Sequence, residues 1–87
     1  MTRQQRITAI LQAALKPARL DVIDESSLHS GHQPGFDGGG ETHMRVRIAA
    51  AAFATMSRVE RHRAVNDLVK DEFDNGLHAL AVEAEAA

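Results

Sequence analysis

The chain has 87 residues, of which 44% are hydrophobic and 25% are charged, and its formal net charge is −2. This length suits one small domain, which has little room for both a core and an enclosed catalytic cavity. The slight negative charge excludes a global attraction for nucleic acid or anionic membranes. With three Phe and no Trp or Tyr, we do not expect a surface that stacks the bases of single-stranded nucleic acid. Cysteine is absent, so disulfides are excluded. The side chains that could bind a metal ion are those of His, Asp and Glu.

The first predicted element is a helix over about residues 3–15. Thr2 and Gln5 have the spacing of a capping box, apolar residues recur at helical spacing from Ile7 to Leu15, and Pro17 ends the pattern. The first twenty residues are basic and contain no acid, a composition that an organelle transit peptide would share, but the cap favours a folded helix. No apolar run reaches the length of a membrane span, and we expect no secretory leader. We therefore expect a cytoplasmic protein without a membrane partner.

Two strands and a glycine-rich loop follow. Leu20 and Val22 alternate with polar residues, which predicts a short strand through about residue 25. Residues 26–40 hold five of the six glycines and predict a flexible loop, because loops of about 15 residues in compact domains are usually functional or disordered. From Glu41 the hydrophobic period is two, so a second strand should bury Met44 and its alternate neighbours Val46 and Ile48.

The second half predicts one long helix and a last strand. Ser57 and Glu60 form another capping box, and apolar residues from Val59 to Phe73 continue the helix to the stop at Asn75-Gly76. Residues 77–84 then alternate as a strand, and residues 85–87 are expected to fray. The order helix, strand, strand, helix, strand predicts an α+β sandwich, with helices on one face of a three-stranded sheet.

The five histidines are the most unusual feature of the composition: His29, His32, His43, His62 and His78. No two have the spacing of a helical metal site, and no Cys/His zinc pattern exists, so a self-contained metal site is not expected. Nucleophile elbows and phosphate-binding loops are also missing, so we do not expect an enzyme. Spacing alone makes His78 more typical of a core histidine than of a ligand.

Charge is arranged unusually along the second long helix. Arg58, Arg61 and Arg63 lie in its first half and acidic residues in its second, the reverse of what the helix dipole favours. One interpretation is a solvated face with indifferent charge placement and a structural His62. The other is an anion, an acidic partner or a phosphate backbone near the first turns.

A set of short motifs runs in order over about residues 3–84: Asp24-Glu25-Ser26, Gly40-Glu41-Thr42-His43, Phe53, Ser57, Val59, Arg61-His62-Arg63 and Leu77-His78-Ala79-Leu80. In this order they resemble the BolA family. The resemblance implies a class II KH-like αββαβ fold, as a single domain over residues 1–87. It also implies a partner, a monothiol glutaredoxin, with which BolA-like proteins form heterodimers that can hold a [2Fe–2S] cluster.

The resemblance further implies two metal ligands in this chain. His78 matches the histidine of the family's last strand, and His29 best matches the ligand position in the loop, with His32 as its alternative. Because such clusters usually have four ligands and tolerate two histidines on one iron, a chain without cysteine could supply only the histidine half. The thiolates would come from the glutaredoxin and its glutathione, and no cofactor is expected for the chain alone.

Two other hypotheses compete with that of a glutaredoxin-binding adaptor. Some BolA-like proteins are reported to be DNA-binding transcriptional regulators, and here Arg58, Arg61 and Arg63 would contact phosphates, with Arg45 and Arg47 as further contacts. The third hypothesis is a protein-binding module whose histidines are structural.

Overall fold

The structure is a computed structural model that describes residues 1–26 and 42–87. Its elements are the helix α1 (Arg3–Leu15), the strands β1 (Arg19–Asp24) and β2 (His43–Ala50), a 3-10 turn (Ala51–Thr55), the helices α2 (Arg58–Leu68) and α3 (Lys70–Asp74), and the strand β3 (Ala79–Ala86). The strands form one sheet in the order β1-β2-β3. The pair β1–β2 is antiparallel and the pair β2–β3 is parallel.

The helix α1 has the predicted bounds, and its capping box is confirmed. The Thr2 hydroxyl accepts a hydrogen bond from the backbone N–H of Gln5 at 3.1 Å, and the Gln5 side chain accepts one from the N–H of Thr2 at 2.9 Å. The helix ends at Lys16, which has a left-handed φ of 46°, immediately before Pro17. Ile7 and Leu11 are its fully buried residues.

The core lies between the helices and one face of the sheet. Met44, Val46 and Ile48 are buried along β2, as the period of two predicts. The fully buried side chains that pack in the same cluster come from α1, the 3-10 turn, α2 and the residue after α2: Ile7, Leu11, Phe53, Val65 and Val69. Each such side chain contributes about 1.5–3 kcal/mol through removal of apolar surface from water. The predicted α+β class, with helices on one face, is confirmed.

The predicted long second helix is interrupted at Val69, whose backbone has φ −109° and ψ 18°. The interruption separates α2 from α3 and turns Glu72, rather than Phe73, toward the protein interior: Glu72 is 5% exposed and Phe73 is 38% exposed. Val59 is 58% exposed at the other end. The prediction of one continuous helix to Asn75-Gly76 is therefore wrong. An ion pair between Glu72 and α1 occupies the inward position on α3.

The strand β3 begins two residues later than predicted and ends two residues later. Its parallel register places Ala86 beside Ala50, and the N–H of Ala87 donates to the Ala50 carbonyl at 3.3 Å. The strand therefore includes residues 85 and 86, because the eight-residue β2 provides pairing partners to its own end. Within the described ranges, no helix is long and apolar enough to cross a membrane.

Candidate functional site

His78 lies directly before β3 with its side chain exposed. Its backbone is fixed, because the N–H groups of His78 and Ala79 both donate to the Thr42 carbonyl, at 2.8 and 3.1 Å. The imidazole is therefore held at the surface on an ordered backbone. The interpretation of His78 as a core histidine, drawn from spacing alone, is wrong.

The parallel pairing of β2 and β3 brings a second histidine to His78. His43 is the first residue of β2 and pairs with Ala79, so the rings of His43 and His78 meet edge to face, with centroids 6.0 Å apart. The Nδ1 atom of His43 is 3.0 Å from the Thr42 hydroxyl. His43 was not among the ligands predicted from the sequence. The parallel register of two strands distant in the sequence was the missing signal.

A buried serine organises the backbone beneath these histidines. The Ser26 hydroxyl accepts hydrogen bonds from the N–H groups of Thr42 at 2.8 Å and His43 at 3.1 Å, while its own N–H donates to the Asp24 carboxylate at 2.9 Å. Ser26 is 6% exposed, although the sequence predicted it as the start of a flexible loop. Its hydroxyl connects the end of β1 to the start of β2, and Thr42 continues the connection to His78.

The other predicted ligands, His29 and His32, lie outside the described residues, as does the rest of the glycine-rich stretch. Among residues 1–26 and 42–87, no three His, Cys, Asp or Glu side chains are grouped so as to hold a metal ion. What this part of the chain offers is one pair of neighbouring imidazoles, of which His78 is exposed. Such a donor set fits the histidine half of a [2Fe–2S] coordination shell and cannot complete it.

The three arginines of α2 do not form one surface. Arg58 and Arg63 are exposed, whereas Arg61 is half-buried. The Arg61 guanidinium donates to three backbone carbonyls: Phe53 and Met56, both at 3.1 Å, and Ala84 at 3.2 Å. It therefore braces the 3-10 turn and the start of α2 against β3.

The sheet face opposite the helices carries paired charges. Arg45 contacts Glu25 at 2.9 Å and Glu83 at 2.6 Å, and Arg47 contacts Glu83 at 3.4 Å. The hydrogen bond from Arg45 lowers the pKa of Glu83 below its ordinary value. These arginines, considered above as further DNA contacts, each have a carboxylate partner.

Comparisons with known proteins agree with this architecture. Residues 11–87 match the family model described as BolA-like protein. The chain is 63% identical over 86 residues to a Sinorhizobium protein described as an uncharacterized protein in the cobS 5′ region, covering 99% of this chain and 92% of that protein. It is 37% identical over 79 residues to the DNA-binding transcriptional regulator BolA of Vibrio cholerae, covering 91% and 70%. The solved BolA domain of SufE1 from Arabidopsis thaliana superposes with a TM-score of 0.86 at 42% identity, covering 99% of this chain and 93% of that one. The chain therefore belongs to the BolA-like protein family.

Proposed function

We propose that this protein is a non-enzymatic adaptor that binds a monothiol glutaredoxin and shares a [2Fe–2S] cluster with it, in cluster assembly and trafficking or in iron sensing. The observation that carries the proposal is the exposed His78 beside His43 on a chain without cysteine. Exposure matters because a ligand shared between two proteins has to be reachable from outside.

The absence of cysteine determines how the two proteins divide the ligands. This chain supplies imidazole nitrogen, and both thiolates come from the glutaredoxin and its glutathione. When bound, the cluster supplies a transferable iron–sulfur unit with visible absorption. The residues of this chain hold the imidazoles at a fixed place, through the backbone hydrogen bonds of Thr42 and Ser26. A glutathione-derived ligand requires a reducing compartment, which suits the expected cytoplasmic location.

The second histidine ligand is one of three residues in this proposal. His29 and His32 are the positions implied by the family resemblance, and His43 is supported by its ring contact with His78. The three alternatives make different predictions for single substitutions, so one series of variants separates them.

The test is co-expression with a monothiol glutaredoxin and anaerobic purification, followed by absorption and circular dichroism spectroscopy. We expect a brown heterodimer whose spectrum is changed or lost in His78→Ala. Three further single variants identify the second ligand: His29→Ala, His32→Ala and His43→Ala. The substitution that changes the spectrum of the complex most marks the residue that binds the cluster together with His78. His62→Ala, a half-exposed histidine on α2, is the matched control and should leave the spectrum unchanged. A His78→Ala complex with the wild-type spectrum would exclude this ligand assignment.

A DNA-binding regulator is the second candidate function, favoured by the similarity to the Vibrio cholerae regulator and by the exposed Arg58 and Arg63. Arg61 is engaged with backbone carbonyls, so two phosphate contacts are available from this helix. Counterion release then gives a slope of about −2 for log K against log salt concentration. Titration of duplex DNA at several salt concentrations tests this, with Arg58→Ala and Arg63→Ala each expected to reduce the slope by about 1. Salt-independent binding, or no binding at micromolar protein, would count against DNA recognition.

A further inference from the structure

The exposed side of α2 carries a hollow of about 370 Å³ that the proposed cluster site does not use. It is lined by Arg58, Val59, His62, Arg63 and Asn66. Val59 is 58% exposed and lies among these polar side chains. Basic and imidazole groups thus surround an apolar centre.

A second hollow, of about 490 Å³, continues from the first toward β3. The two share Arg58 and His62, and the second also contacts Val82 and Ala84 on the edge strand. Together they form a continuous groove between α2 and β3. We call it the α2–β3 groove and define it by Arg58, Val59, His62, Arg63, Val82 and Ala84.

Two side chains of the groove, Arg58 and His62, make few polar contacts within the fold. Among the residues that the structure describes, the side chains of Arg58 and His62 have no hydrogen-bond or ion-pair partner. By contrast, Arg61 of the same helix turns inward onto backbone carbonyls. The positive charge of Arg58 at the start of the helix opposes the helix dipole, so this side chain does not stabilise α2. Arg58 is therefore available to a group that binds from outside.

The groove and His78 lie toward opposite ends of β3. Val82 and Ala84 follow His78 by four and six residues, which is roughly 13–20 Å along an extended strand. An occupant of the groove therefore need not cover the histidines.

We propose that the α2–β3 groove docks an acidic peptide segment of a second protein partner, with one apolar residue as its anchor. Carboxylates of the segment pair with Arg58 and Arg63, and the anchor covers Val59. A nucleic acid fits less well, because the exposed Val59 at the centre of the groove calls for an apolar anchor that a phosphate backbone does not have. The carboxylates of Glu83 and Glu85, on the strand side of the groove, have arginine partners within the fold. Arg19 and Arg47, on that same side, are held by those carboxylates.

The test uses the full chain without cluster or glutaredoxin. A ten-residue peptide of Asp and Glu with a central Leu is titrated into ¹⁵N-labelled protein. Matched peptides replace the acids by Asn and Gln, or the Leu by Ser. We expect chemical-shift changes confined to the groove and at least tenfold weaker binding of the amide peptide. The Leu-to-Ser peptide should also bind more weakly.

Charge reversal makes the test specific. The double variant Arg58→Glu, Arg63→Glu should lose at least tenfold in affinity for the acidic peptide and gain binding of a Lys peptide with the same central Leu. Lys16→Glu and Lys70→Glu change exposed cations outside the groove and should bind as the wild type does. His78→Ala should also retain peptide binding, which separates this proposal from the cluster proposal.

Three outcomes overturn the proposal. One is the absence of groove shifts at millimolar peptide. Another is equal binding of the acidic and amide peptides. The third is a duplex DNA that shifts the groove residues while the acidic peptide does not, which would identify the groove as a nucleic-acid surface.

Discussion

The hydroxyl of Ser26 accepts a hydrogen bond from the backbone N–H of Thr42, sixteen positions later in the chain, at 2.8 Å. The Thr42 carbonyl in turn accepts the N–H of His78 at 2.8 Å. One buried hydroxyl therefore links the end of β1, the start of β2 and the residue before β3. The spacing of the exposed histidine relative to its neighbour depends on this link.

Replacement of Ser26 by Ala should affect both stability and the histidines. Two backbone N–H groups, those of Thr42 and His43, lose their acceptor, which we expect to cost about 1–3 kcal/mol of unfolding free energy. The measurement is urea denaturation, together with NMR chemical shifts of His43 and His78, which should both move.

Ser57→Ala provides the matched control for this prediction. The Ser57 hydroxyl also accepts a backbone N–H, from Glu60 at 3.1 Å, but at the start of α2. Its loss should cost about 0.5–2 kcal/mol while the His43 and His78 signals stay in place. If Ser26→Ala leaves those signals as unaffected as Ser57→Ala does, Ser26 does not position the histidines.

Glu72 should make the protein sensitive to acid. It accepts hydrogen bonds from Arg6 at 2.8 Å and Arg3 at 2.9 Å, and the bonds from Arg6 contribute most to lowering its pKa from 4.5 to about 2. Because the carboxyl has its ordinary pKa in the unfolded chain, its stabilisation is fully present above about pH 4.5. It is lost as the pH falls toward 2. We expect Glu72→Gln to lower the unfolding free energy by about 2–3 kcal/mol at pH 7, with a smaller difference from wild type at pH 3.

The measurement is urea denaturation of both proteins at pH 7, 4.5 and 3. Glu85→Gln is the control, because its ion pair with Arg19 is mostly exposed on both sides and should contribute at most about 1 kcal/mol. A difference between wild type and Glu72→Gln that is the same at all three pH values would contradict a lowered pKa of Glu72.

Arg61 should behave as a structural residue and Arg58 as a surface residue. Lysine cannot reproduce the planar guanidinium that reaches the carbonyls of Phe53, Met56 and Ala84. We expect Arg61→Lys to cost about 1–3 kcal/mol in thermal or urea unfolding, and Arg58→Lys to change the stability by less than about 0.5 kcal/mol. Equal effects of the two substitutions would show that the backbone contacts of Arg61 contribute little.

Local signals predicted the helix α1 and the buried face of β2, because capping boxes and hydrophobic periods depend on residues a few positions apart. The interior position of Glu72 could not be predicted in this way, since its partners Arg3 and Arg6 are 69 and 66 residues away. An apolar Phe73 beside a charged Glu72 favours the opposite assignment until the ion pair is known. Tertiary pairing outweighed local hydrophobicity at this position.

The candidate site was predictable only in part, for the same reason. His78 was identified through the family resemblance, but its neighbour His43 becomes visible only when the parallel register of β2 and β3 is known. Ser26 was predicted in a loop because glycine and polar residues follow it. Its burial depends on two N–H groups that arrive from the start of β2.

The contact between His43 and His78 gives the last prediction. With ring centroids 6.0 Å apart, each imidazole lies within the ring-current range of the other, so His43→Ala should shift the His78 ring signals in the protein alone. In the proposed glutaredoxin complex, the same substitution should alter the circular dichroism of the cluster, because the ring beside the proposed ligand His78 is removed. The change in circular dichroism should occur even if His29 is the second ligand. In that case His43→Ala should shift the absorption maxima of the cluster less than His29→Ala does. His62→Ala, on the helix α2, should change neither signal. Cluster spectra of His43→Ala that superpose on those of the wild type would show that His43 has no part in the site.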